Sequence, residues 1–135
     1  MLKLIIGVKG TGKTKALINL VNTASAESKG DVVCIEKGAK LRYDVKSSVR
    51  LIDTEEYFVA DAEALYGFIA GIFASNHDIT DLFVDSALKI CNNDAATFDK
   101  FVDLTAKLAE KLDVNIVMTS SIPVEEASAI VNKYI

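Results

Sequence analysis

Three features of this sequence predict a three-layer α/β fold: a parallel sheet of about five strands with helices on both faces. Short apolar runs alternate with segments of helical periodicity along the whole chain, the pattern of a parallel sheet with right-handed crossovers. Val32-Val33-Cys34-Ile35 is apolar at every position, as a strand covered on both faces must be. A glycine-rich stretch, Gly7-Val8-Lys9-Gly10-Thr11-Gly12-Lys13-Thr14, joins the first apolar run directly to the first helical segment.

Taken in order, the first strand is predicted over residues 2–6 and the first helix from Lys13 to about Ser25, with Ala16, Leu17, Leu20 and Val21 at helical spacing. Ser28-Lys29-Gly30-Asp31 turns the chain into strand two, 32–35, which stops at Glu36. Lys37-Gly38-Ala39-Lys40 opens a link of about a dozen residues without a strong helical pattern, so an irregular connection is expected there. Strand three, 49–52, has a polar approach that suits a sheet edge. A loop carrying Glu55, Glu56 and Tyr57 leads to Asp61, an N-cap for a helix over 61–75 with Leu65, Phe68, Ile69, Ile72 and Phe73 inward. Strand four is Leu82-Phe83-Val84, ending at Asp85. Asn92, Asn93 or Asp94 caps a third helix whose stripe is Phe98, Phe101, Val102, Leu108 and Leu112. Its other face alternates acids and lysines, a solvated surface. Strand five, 114–118, closes on Thr119-Ser120-Ser121, and Pro123 suits the start of a short last helix.

The glycine-rich stretch fits G-x-x-x-x-G-K-[ST] without a mismatch, in the strand–loop–helix setting the motif requires. The reason is physical. Gly7, Gly10 and Gly12 let the backbone turn so that successive N–H groups, those of Lys9 and Thr11 included, point inward at an anion, and the following helix adds its positive end. Lys13 is expected to reach the β- and γ-phosphates and Thr14 to ligate Mg²⁺, so the expected ligands are ATP, or another nucleoside triphosphate, and Mg²⁺. A glycine-rich turn with a solvated Lys13 is the weaker account. Beyond the strand ends, where ligands of such sheets gather, stand Glu36, Asp53, Asp85, Thr119 and Ser120. Three apolar residues and then Asp85 form a Walker B pattern, with the carboxylate on the metal; a helix cap is the alternative for Asp85. Ser86 follows Asp85 where many such proteins have Glu, so a water-activating base is sought on a neighbouring strand. Glu36 is the candidate, against a surface carboxylate paired with Lys37 or Lys40.

These residues resemble the RecA-like ATPases, including the RadA/KaiC branch. In that family the strand after the phosphate-loop helix ends in a catalytic Glu, as Ile35-Glu36 does, and the Walker B strand often reads apolar-apolar-Asp-Ser, as Phe83-Val84-Asp85-Ser86 does. The next strand ends in a polar sensor of the γ-phosphate, here Thr119 or Ser120, hydroxyls where the family commonly has Gln or Asn. The resemblance implies a sheet order of 3-2-4-5-1 and ATP hydrolysis. It is not expected to extend to DNA strand exchange, because the sequence leaves no room for the family's DNA-contacting loops and polymerisation segment.

Composition narrows the partners. At 135 residues the chain reads as a single domain, 1–135. A net charge of −4 gives no support to nucleic acid or an anionic membrane surface. Cys34, Cys91 and the lone His77 form no zinc pattern. Neither a secretion signal nor an apolar run of membrane length is seen, so a cytoplasmic location is expected. The 50% hydrophobic content favours a homo-oligomer or a protein partner. Lys37, Lys40, Arg42, Lys46 and Arg50 cluster with a single acid, Asp44, and Tyr43. A solvated loop is the leading reading of that cluster, against a nucleic-acid or partner contact or a charge donor toward the γ-phosphate. Three functions follow in order: a minimal ATPase, a nucleotide-binding switch or assembly module with little turnover, and a small P-loop kinase. Two arginines leave little for a kinase lid.

Overall fold

The computed structural model describes residues 1–135 and contains five strands, all parallel. The elements run β1 (Leu2–Ile6), α1 (Lys13–Glu27), β2 (Asp31–Glu36), β3 (Arg50–Asp53), α2 (Ala62–Ser75), β4 (Ile79–Val84), α3 (Ala87–Ile90), α4 (Ala95–Leu112), β5 (Asn115–Ser120) and α5 (Ala129–Lys133), with 3₁₀ turns at Thr54–Tyr57 and Val124–Glu126. The sheet order is β1-β5-β4-β2-β3. That is the expected 3-2-4-5-1 read from the other edge.

Two apolar clusters sandwich the sheet. The larger, 23 buried residues, packs α2, α4 and α5 on the side chains of one face, with Leu65, Ile69, Phe98, Phe101 and Val102 at its centre. The smaller, nine residues, joins Leu17 and Val21 of α1 to Val32, Cys34, Phe83 and Val117 of the opposite face. Leu41, Val45 and Val49 complete it. A parallel β2–β3 pair needs a long crossover. Here an irregular segment supplies it, burying an apolar residue every four positions and fastened to α1 through Asn22. The Asn22 amide donates to the Asp44 carbonyl at 2.9 Å and accepts from Lys46 N–H at 3.0 Å.

The differences from expectation have local causes. β3 lies one residue later than expected, because Asp53 pairs with Glu36 across the ladder. β4 starts earlier, at Ile79, since polar Thr80 and Asp81 find hydroxyl and amide partners in Ser28 and Asn115. Asp61 and Asp94 cap α2 and α4 through Ala64 N–H and Ala96 N–H. Leu112, expected inside, is 42% exposed because the helix ends there on a left-handed Asp113. Pro123 precedes only a 3₁₀ turn, and α5 begins later, capped by the Ser128 hydroxyl. The outer edge of β1 is partly covered: Leu4 N–H donates to the Tyr134 carbonyl at 2.8 Å. No helix is long and apolar enough to cross a membrane.

At the start of β2 the chain passes so near the α2–β4 link that a Cβ on Gly30 would stand 2.2 Å from the Asp78 carbonyl oxygen. That oxygen accepts from Asp31 N–H, so it cannot retreat without loss. Gly30→Ala is expected to lower unfolding free energy by about 1–3 kcal/mol. Urea denaturation checks it, and an unchanged midpoint would contradict the close approach.

Candidate phosphate site at the strand ends

The motif loop lies between β1 and α1, over the C-terminal edge of the sheet. Gly10 and Gly12 have φ of 88° and 83°, in the left-handed region where a side chain would strain the backbone. Gly12 leads straight into α1, with no side chain capping the first amides. An uncapped helix N-terminus of this kind can receive an anion. Lys13 Nζ donates to the Val8 carbonyl at 2.9 Å, arching back over the loop. Thr11 Oγ1 donates to the same carbonyl at 2.8 Å, fastening the loop from within.

Period-two alternation puts the polar strand ends on one face. Cys34, Phe83 and Val117 belong to the α1-side cluster, so the residues two positions on, Glu36, Asp85 and Thr119, point to that side as well. The register aligns Ile35 with Val84 and Val84 with Met118, which sets those three residues level on adjacent strands. Asp85 is the meeting point. It accepts from Thr14 Oγ1 at 3.2 and 3.3 Å and from Thr119 Oγ1 at 2.8 Å. Thr119 Oγ1 in turn accepts from Ser86 N–H at 2.8 Å. Ser86 takes a left-handed conformation, φ 59°, which turns the chain sharply from β4 into α3. Ser120 is fully buried and accepts from Leu88 N–H at 3.3 Å, so its hydroxyl pins α3 from below.

A cleft of about 540 Å³ lies over these residues, lined by Lys9, Gly10, Gly12, Lys13, Thr14 and Asp85 among others, with Thr119 at its floor. Gly7, Thr11 and Ser120 are not in its lining, and neither is Glu36. Glu36 is 3% exposed, and both its oxygens are engaged: Oε1 accepts from Lys40 N–H at 2.9 Å and Oε2 from Leu41 N–H at 3.2 Å. Burial pushes its carboxyl above the ordinary range; the two amides pull the other way, and the charges of Asp85 and Asp53 add to the rise. The Cys34 thiol, behind these carboxylates, is pushed up to about 12 by burial first and then by Asp85 and Glu36. Asp53 accepts from Gly38 N–H and Glu55 N–H and faces a separate cavity.

Lys40, Lys89 and Asn93 also line the cleft; in the sequence Lys40 stood out only as a member of the basic cluster and Asn93 only as a helix cap. Lys89 rides on α3, a helix of four residues bounded by left-handed Ser86 and Asn92. An Asn-Asn pair after a short apolar run was the available signal, since asparagine tolerates that conformation. No cluster of three or more His, Cys, Asp or Glu side chains converges as a metal cage.

No protein-family model matches the chain, and no curated protein does. Among solved structures it is similar to a KaiC-like protein from the hyperthermophilic archaeon Pyrococcus horikoshii, at a TM-score of 0.70 and 15% identity. The match covers 98% of this chain and 66% of the other, just under two thirds of its length. At that identity the likeness is one of fold: a five-stranded parallel sheet with helices on both faces.

Thr119 carries the geometry around Asp85, so Thr119→Val is the informative change. It keeps the shape, strands Ser86 N–H and removes a donor from the carboxylate. A loss of about 1–3 kcal/mol in unfolding free energy is expected. Thermal unfolding reads it, and a stability equal to wild type would mean that Ser86 N–H finds another acceptor.

Proposed function

We propose that this chain binds a nucleoside triphosphate with Mg²⁺ at the loop–α1 junction and hydrolyses it. The observation that supports this best is the Thr14–Asp85 contact, which joins the residue after the motif lysine to the strand-end carboxylate. Two hard oxygen ligands on adjacent elements, beside a left-handed glycine loop, suit a small divalent ion held jointly with phosphate oxygens. In this reading Gly7, Lys9, Gly10, Thr11 and Gly12 present main-chain amides to the phosphates. Lys13 leaves the Val8 carbonyl for the β- and γ-oxygens. Thr14 and Asp85 would hold the metal, which would supply positive charge to offset that of the phosphates. Thr119 orients Asp85, while Ser120 acts at one remove, through α3. Nothing in this reading calls for nucleic acid. Assembly into a homo-oligomer or with a protein partner and a cytoplasmic location belong to the same proposal.

The hydrolytic reading takes Glu36 as the carboxylate that orients or deprotonates water. A second reading, a switch or assembly module with little turnover, is favoured by one specific observation. Both Glu36 oxygens accept main-chain amides, and the residue does not line the cleft, which sets it back from a water there. The kinase reading has no such support.

Lys13→Ala is expected to weaken binding of ATP–Mg²⁺ by about 10- to 100-fold, the loss of a charged hydrogen bond. Titration with a fluorescent ATP analogue measures it; wild-type protein that ignores ATP–Mg²⁺ would sink the proposal. Phosphate release, with and without Mg²⁺, then separates the readings. Steady release requires hydrolysis, binding without release requires the switch, and release only with an added acceptor requires a kinase. Asp85→Asn is expected to shift the Mg²⁺ requirement of binding to higher concentration while the loop still holds the nucleotide.

A further inference from the structure

The five cations of residues 37–50 do not form one patch. Lys37 sits with Phe58 and Lys89 in one pocket, Arg42 and Arg50 with Asp53 and Glu56 in another, and Lys46 lies along α1. Lys40 alone of the five lines the phosphate cleft. Its backbone is held at several points. Glu36 takes the N–H groups of both Lys40 and Leu41. The Leu41 side chain, 3% exposed, is packed with Leu17 and Val21. Asn22 grips the same segment at Asp44 and Lys46.

Building on the nucleotide reading, we infer that Lys40 is a cation supplied in cis to the terminal phosphate, and that Glu36 is its positioning residue. A buried carboxylate bridging two successive amides cannot swing away without leaving both donors unpaired. The base of Lys40 is therefore fixed relative to β2, and through the β2–β4 ladder relative to Asp85. The charge requirement is real. Transfer of a terminal phosphoryl group builds negative charge that neighbouring cations stabilise, often through an arginine. Both arginines of this chain, Arg42 and Arg50, line the other cavity, so neither is placed to do this. Lys9, Lys13, Lys15 and Lys89 line the same cleft from the loop, α1 and α3, and Lys40 reaches it from the β2–β3 link. Of these only Lys40 has its N–H held by the buried Glu36, which accounts for a carboxylate kept in an environment that disfavours its charge.

The test is the ratio of ATP to ADP affinity in Mg²⁺, read by displacement of a fluorescent nucleotide alongside phosphate release. Lys40→Met is expected to lower the preference for ATP by about 10- to 100-fold, with ADP affinity unchanged. Lys40→Arg should restore part of it. Glu36→Gln, whose amide can accept only one of the two N–H groups, should give the same loss, and no further loss when combined with Lys40→Met. Lys37→Met, on the same segment but outside the cleft, should behave as wild type. An unchanged ratio in Lys40→Met overturns the inference while leaving nucleotide binding intact. Phosphate release abolished in Glu36→Gln with the ratio preserved would put Glu36 on the water instead, and also overturns it. Wild-type protein that binds neither nucleotide removes this inference together with the reading beneath it. Should Glu36→Gln fail to fold, Lys40→Met against Lys37→Met decides alone.

Discussion

The Asp85 carboxylate is the constraint around which the strand ends are arranged. It stands at the tip of a central strand and takes hydroxyl donors from α1 and from β5. Three elements far apart in sequence are thereby referenced to one group. Because Thr119 also receives the Ser86 amide, the sharp exit of the chain from β4 is set by the same small network. The network thus links the start of α1 to the path of α3. The carboxylate remains partly accessible, so it stands at the mouth of the cleft rather than sealed beneath it.

The two faces of the sheet are built differently, and the difference positions the site. Two long helices make one face a deep apolar layer. The other is covered by a single helix and an irregular strap, and Glu36, Asp85 and Thr119 emerge on that side. A helix in place of the strap would keep its amides for itself. An irregular segment has amides to spare, and Glu36 takes two of them. The missing helical pattern between β2 and β3 is thus tied to the arrangement of the cleft.

Most of this could be read from the letters. Period-two and period-3.6 patterns gave the order of elements, and the RecA-like resemblance gave the strand order that the sheet adopts. The motif placed the loop between β1 and α1, and the strand tips followed from the parallel sheet. What could not be read has common causes. α3 is too short to show a period, and its boundaries depend on left-handed Ser86 and Asn92. Lys40 could not be told from Lys37 or Arg42, because an irregular strap offers no periodicity from which to deduce direction. Thr119 and Ser120 looked interchangeable at the end of β5, yet alternation sends one to the cleft floor and the other beneath α3. Glu36 was visible as a strand-end acid, but its attachment to the strap is a tertiary fact.

The contact between Leu4 and Tyr134 has a meaning of its own. β1 carries the glycine loop, and it is also a terminal strand of the sheet, the sort of rim that invites a foreign strand to dock. The carbonyl at Tyr134 fills one of the rungs on that rim. Backbone near Tyr134 therefore lies along that rim and takes up room that an intruding strand would need to pair there.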